Sequence, residues 1–247
     1  MEKQDFLRTL LARTADCGLP FSEEQALRCH EHISLMLAWN RSHNLTRITD
    51  LEDIIEKHIL DSLLPAKWLP PAGPALDIGT GAGFPGIPLK ILHPGLAMLL
   101  LESHRKKVSF LKTVLSRLPL QHISALQGRW EELAQGGHPH FRNSFKLTTM
   151  RAVRLEPEHI SVAASSLLGQ DGIFAWWAGP NADVQWHDRH VELFRNVGMT
   201  FEGRHSYLLP SATQPRYLFV WKRRRQESGD RSQKTEGSRQ KAVGSRK

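Results

Sequence analysis

The sequence predicts an α/β protein: a Rossmann-like, mostly parallel sheet with an antiparallel hairpin at one edge, behind an N-terminal helical cap. Three observations carry this expectation. The first seventy residues show helical spacing of apolar positions and helix-start signals. From Ala75 onward, short apolar runs alternate with helical segments. A glycine-rich turn, "LDIGTGAGFPGIP" at residues 76–88, follows the first of those runs.

The elements follow in chain order. A first amphipathic helix covers about 3–16. A second starts at Ser22, where Gln25 three residues on completes a capping-box pattern, and runs to about Trp39. "LEDIIEKHILDSLLP" forms a third that ends near Pro65, and "LPPAGP" (69–74) is a rigid connector. Residues 1–70 therefore read as a cap and 71–222 as the sheet domain. Strands are expected at "ALDIG" (75–79), "LAMLLLE" (96–102), "HISALQG" (122–128), "FKLTTM" (145–150) and "GIFAWWAG" (172–179), with helices between them, clearest at 104–118 and 155–168. Continuous apolar strands with helical crossovers mean a parallel sheet covered on both faces. "TFEGRHSYLLP" and "PRYLFVWK" are separated only by a short polar turn and form the edge hairpin.

Composition bounds the function classes. The chain has 247 residues, 40% hydrophobic and 23% charged, ordinary for a globular protein. No apolar run approaches the roughly 20 residues of a membrane helix, and the charged N-terminus is no signal peptide. Two cysteines, Cys17 and Cys29, give no disulfide framework or metal site and fit a reduced, cytoplasmic setting. From Lys222 onward ten Lys/Arg face three Asp/Glu, a net of +7 out of the chain's +8. This tail, 223–247, has no apolar face and is expected to be disordered, either a solubilising end or a nonspecific RNA contact. The body carries about +1 (8 − 7), so any nucleic-acid surface on it is a local patch. "HDRH" (187–190) has metal-like spacing but reads as a helix surface, and no metal is expected.

A glycine turn after a first strand puts a ligand at a helix N-terminus. Gly81, Gly83 and Gly86 match the dinucleotide pattern literally, with Glu102 about twenty residues on. Asp77 argues against a dinucleotide, because its carboxylate would face a pyrophosphate at close range. S-adenosylmethionine offers an ammonium and a sulfonium instead, and a ribose diol for Glu102. Asp77, Gly79, Gly81 and Gly83 form the Asp-x-Gly-x-Gly-x-Gly spacing usual in the first motif of methyltransferases. Among acceptors, "TTMRAV" lacks the Pro-Pro box of amino-group methylases. Both cysteines lie in the cap, away from a pyrimidine-carbon site, and the fourth strand lacks the acid of a ribose methylase. An acceptor nitrogen with a free lone pair survives, one that needs positioning more than a base.

"WNRSHNLTRITD" (39–50), "HILDSL" (58–63), "DIGTGAGFPGIPL" (77–89), "LLESHRKKVSFL" (100–111), "GRWEEL" (128–133), "MRAV" (150–153) and "PRYLFVWK" (215–222) occur in the order seen in the bacterial glucose-inhibited-division B (GidB) methyltransferases, which the chain resembles over about residues 20–222. The resemblance implies an enzyme that uses S-adenosylmethionine to make 7-methylguanosine in the decoding-region loop of 16S ribosomal RNA or the 30S subunit; a monomer is expected. It implies that Gly79, Thr80, Gly81, Gly83 and Phe84 line the cofactor, with Asp77 near the ammonium, Glu102 on the ribose, and Trp130 and Glu131 flanking the adenine. Arg151 would reach cofactor or RNA, and Asn44, Thr46, His58 and Asp61 would border the acceptor pocket. On spacing alone, His58 and Asp61 read equally as a local helix pair, and Asn44 and Thr46 as a turn and cap. Trp176 and Trp177 read as core or as base-stacking rings. The chain departs from the family pattern at Lys146-Leu147, Met150 and Ala178; Ala178 motivates a non-catalytic RNA-binding protein as a rival reading, and a small-molecule methyltransferase is a second rival, against which the basic tail and the helical cap speak.

Overall fold

A capping box starts the long cap helix. In the computed structural model, which describes residues 2–71, 73–135, 139–151, 158, 161, 165–180 and 191–224, Ser22 Oγ accepts from the Gln25 N–H at 3.2 Å and Gln25 Oε1 accepts from the Ser22 N–H at 2.8 Å. The cap opens on α1 (Lys3–Asp16) and α2 (Glu23–His43). α2 runs four residues past Trp39 and stops at Asn44, which takes the left-handed conformation (φ 48°) that asparagine tolerates at a helix end.

The third cap segment is not the single regular helix its apolar spacing predicts. α3 (Leu51–Ile54) widens into a π-helix (Ile55–Leu60), tightens to α4 (Asp61–Leu63) and ends as a 3₁₀ turn (Leu64–Trp68). Ile54, Ile55, Ile59, Leu60 and Leu63 are all buried there. An apolar run this dense is satisfied by any winding, so only packing against the sheet selects it, and π turns cluster at functional sites.

The sheet has seven strands: β1 (Ala75–Ile78), β2 (Met98–Glu102), β3 (Ile123–Gln127), β4 (Phe145–Arg151), β5 (Leu168–Ala178), β6 (Met199–Tyr207) and β7 (Arg216–Arg223). Their order is β3-β2-β1-β4-β5-β7-β6; the first five are parallel and the β6–β7 hairpin is antiparallel, as expected. β5 starts at Leu168, where a helix end was expected, because a bulge around Gly169–Gly172 lets it pair early with Phe145. The rest of the expected 155–168 helix lies outside the described residues except 158, 161 and 165–167, which are helical. So do "HDRH" and residues 225–247 of the tail.

Between the strands, α5 (Gly86–Leu92), α6 (Arg105–Arg117) and α7 (Trp130–Gln135) supply the described crossover helices. Phe6, Leu10, Ile33, Met36 and Ile59 of the cap share one apolar cluster with Ile87, Leu100, Leu147 and Leu218 of the sheet domain. The cap is therefore a layer laid on one sheet face and not a core of its own. The other face buries Leu76, Ile78, Phe174, Phe194 and Trp221. Strand order reverses between β1 and β4, so the carboxyl ends of these strands form the crevice where such sheets bind ligands.

Candidate active site

The glycine turn follows β1. Gly79, Gly81 and Gly83 all have positive φ (66°, 61° and 95°), a backbone that side chains resist. At Gly83 a Cβ would also stand 2.4 Å from Ile87 Cδ1. Two carboxylates hold this turn from below. Asp77 is fully buried; its Oδ2 accepts from the Gly86 N–H at 2.9 Å and its Oδ1 from Thr149 Oγ1 at 2.8 Å. Burial raises its carboxyl to about 6 despite these bonds. Both oxygens are thus used within the fold, and Asp77 stands under the turn as its anchor. Glu102, at the end of β2, accepts from the Gly81 N–H at 3.0 Å and from the His104 N–H and Nδ1 at 2.9 Å. Burial would push Glu102 up, but the His104 and Gly81 bonds and the Lys107 charge outweigh it and hold it below the usual range.

One cleft opens beside the turn. Ile78 and Gly79 from β1, Leu101 and Ser103 from β2, and Gly128, Arg129, Trp130 and Glu131 after β3 line it. The structure therefore brings Gly79, Trp130 and Glu131, named far apart in sequence, to one cleft, whose β2 side comes from Leu101 and Ser103, the chain neighbours of Glu102. The buried Trp130 presents an apolar wall and half-buried Glu131 an acceptor.

Phe84, the aromatic of the turn, ties this cleft to the cap. Its ring stacks on His58 (4.5 Å, 10°), meets His32 of α2 (4.9 Å, 30°), and has the Arg151 guanidinium 5.4 Å from its centre. His32 Nε2 lies 2.8 Å from the Ala82 carbonyl, which can only accept, so Nε2 carries the proton. His58 Nε2 lies 3.1 Å from Thr46 Oγ1, while Nδ1 is buried without a partner among the described residues. Burial holds His32 at about 4; burial, then the Arg151 charge and the neighbouring His32, holds His58 at about 3.

These imidazoles make the turn acid-labile. Unfolded, each ionises near its ordinary 6.5. Folded values below unfolded ones mean the stability is full above pH 6.5 and is lost as pH falls toward 4. Asp77 opposes this, since its folded value of about 6 exceeds its ordinary 3.8, but one carboxylate faces two histidines. Melting midpoints measured from about pH 7 to about 4.5 are expected to fall, and His32→Phe to flatten that fall. An equal slope in the variant would show that His32 is not held neutral.

The π turn separates the expected His58–Asp61 pair. Asp61 points to the sheet instead, and the local-pair reading does not hold. It is 2% exposed; Oδ2 accepts from Arg151 Nη1 at 2.9 Å and Arg216 Nη1 at 3.3 Å, and Oδ1 accepts from the Tyr207 hydroxyl at 2.7 Å. Its backbone carbonyl takes the Trp177 indole N–H at 2.9 Å. Burial and then the Asp61 charge push the Tyr207 hydroxyl upward, so it stays a donor. Arg151 also donates to the Lys57 carbonyl at 3.1 Å. Asn44 is exposed at the end of α2, and the following turn is held by Asn40 Oδ1, which accepts from the Thr46 N–H at 2.9 Å. Trp177 is core; Trp176 is half-buried on Phe219. Of the departures, Met150 and Ala178 are buried in the sheet and Lys146 donates to the Gln170 carbonyl.

Sequence reading missed His32, Tyr207 and Arg216. Tyr207 and Arg216 are register partners at the turn end of the hairpin, so the polar residues ending one expected strand and starting the next were the available signal. Nothing in the sequence marks His32, which looks like any helical histidine. Among the described residues no group of three or more His, Cys, Asp or Glu is placed to hold a metal, and no helix is long and apolar enough to cross a membrane.

Comparison with known proteins adds three findings. Residues 25–200 match the GidB family, described as rRNA small subunit methyltransferase G. The chain is 47% identical over 215 residues to ribosomal RNA small subunit methyltransferase G 1 of Syntrophobacter fumaroxidans, covering 87% of this chain and 96% of that one. It is 35% identical to ribosomal RNA small subunit methyltransferase G of Carboxydothermus hydrogenoformans, covering 85% and 88%. Among solved structures it is similar in fold to TYW2 of P. horikoshii in complex with MeSAdo (TM-score 0.52, 11% identity, 67% of this chain and 62% of that one).

Proposed function

This chain belongs to the GidB family of rRNA small subunit methyltransferases, and we propose that it transfers a methyl group from S-adenosylmethionine to N7 of a guanine in the decoding-region loop of 16S rRNA. The observation that supports this most is the convergence of Gly79, Trp130 and Glu131 on one cleft, next to Glu102, which holds the Gly81 N–H of the same turn, while Arg151 lies over the Phe84 ring and bonds Asp61. The residues present fit the cofactor: a buried indole for adenine, a carboxylate depressed enough to stay ionised for the ribose hydroxyls, and an open glycine backbone for the amino-acid end.

S-adenosylmethionine, when bound, supplies an activated methyl on a sulfonium. N7 of guanine already has a free lone pair to accept that methyl, and the product guanine would be cationic. No base is required at N7, and this chain's work is positioning. His58 and His32, both neutral, stack and brace Phe84. Arg151 is shared with Asp61, so the carboxylate offsets its charge where the product becomes cationic. Asn44 and Thr46, at the mouth of the cap, border the acceptor side in this reading.

The test is mapping of 7-methylguanosine in rRNA from a strain lacking this protein, alongside single-turnover methyl transfer to 30S particles. One lost modification, restored by the purified protein, is expected. An unchanged modification map would defeat the reading, and binding of 30S RNA without any methyl transfer would favour the non-catalytic rival.

A further inference from the structure

Between Ser103 and Trp130 the chain carries six Lys/Arg (Arg105, Lys106, Lys107, Lys112, Arg117 and Arg129) and no Asp or Glu. Elsewhere in the described body, cations are commonly spent on carboxylates. Arg8 pairs with Asp5, Arg13 with Glu52, Arg28 with Glu24 and Lys57 with Asp53, and Arg151 and Arg216 share Asp61. Among the described residues none of the six forms an ion pair.

Folding gathers part of this charge at one place. α6 opens on Arg105, Lys106 and Lys107, with no acid in its first turn and no side-chain cap, where the helix dipole is already positive. Arg105 and Lys106 are exposed, and Lys107 acts on Glu102 behind them. Exposed Arg129 arrives from the β3–α7 turn and lines the cofactor cleft beside Ser103, two residues before Arg105. Phe110 of α6 packs on His32 and Trp39 of α2. Arg105 and Lys106 follow Ser103, which lines the cleft together with Arg129, by two and three residues, and like charges clustered at a helix start break a local rule of stability, as binding sites do. They form the local patch that a body of net charge near zero would need to hold a polyanion.

We infer that Arg105, Lys106 and Arg129 form a phosphate-binding track on the cofactor-cleft rim that grips the RNA backbone flanking the methylated base, an inference that rests on the function proposed above. Contacts of this kind fix register without reading sequence. The track would hold the strand while the Asp61–Arg151 side receives the base.

The test compares full-length wild type with Arg105→Gln/Lys106→Gln for binding to a 16S rRNA fragment across a salt series. Lys3→Gln/Arg8→Gln, on exposed positions of α1, controls for net charge. Each lost phosphate contact flattens the slope of log affinity against log salt by about 0.7 on single strands and about 0.9 on duplex, so a loss of about 1.4 to 1.8 is expected. S-adenosylmethionine affinity should be unchanged, and KM for RNA should rise while kcat holds. A wild-type slope in the variant, or an equal loss in the control, overturns the inference but leaves the function standing, because wild type still methylates. A parallel loss of S-adenosylmethionine affinity would place the pair in the cofactor site and overturns it too. A wild type that methylates no rRNA would instead defeat the function.

Discussion

Arg151→Ala is expected to lower methyl transfer by on the order of a hundredfold or more while the protein stays folded. Arg151 ends β4 at the reversal of strand order, and its guanidinium lies over Phe84, bonds Asp61 at 2.9 Å and donates to the Lys57 carbonyl at 3.1 Å. It thus connects the glycine turn, the π turn and the sheet, and misplacing a reacting group by about 1 Å can cost about 10²-fold. The fold survives because Asp61 keeps Arg216 and Tyr207. Arg151→Lys should recover only part of the rate, since an ammonium neither stacks on a ring nor spans two acceptors as a guanidinium does. Single-turnover transfer to rRNA and a urea midpoint check the two halves of this expectation. Full activity in the alanine variant would reduce Arg151 to a structural pin.

Asp61→Ala should lower unfolding stability by about 3–5 kcal/mol, the range for removing one partner of a buried ion pair. Its carboxylate is the shared acceptor of Arg151, Arg216 and Tyr207, which come from β4, β7 and β6, and it sits on the cap. Truncation leaves two guanidinium groups and a hydroxyl facing each other with no anion, in a place water reaches poorly. Asp61→Asn should cost less, keeping one acceptor oxygen but placing an amide donor against the remaining donors. Because cap and sheet share one core, unfolding should remain a single transition at lower denaturant. A loss under about 1 kcal/mol would mean that water replaces the carboxylate and that the pair behaves as a surface bridge.

The sheet, the edge hairpin, the capping box at Ser22 and the glycine turn were all legible in sequence, because each depends on residues close together in the chain. Alternation of apolar runs with helical segments selects a parallel sheet, and Gly79, Gly81 and Gly83, closely spaced after a strand, permit the positive φ that the turn takes. Family membership was legible for the same reason: the short stretches that carry it stand in order along the chain. Tertiary structure alone decided the rest. Asp77 anchors the turn through Gly86 and Thr149, because burial leaves its oxygens no nearer donors. His58 and Asp61 part company because the cap helix widens to pack on the sheet, a winding that an apolar run cannot announce. His32, Tyr207 and Arg216 joined the site only when helix, hairpin and turn met. A buried polar side chain takes whichever partner packing brings within about 3 Å, and its neighbours in sequence do not say which that will be.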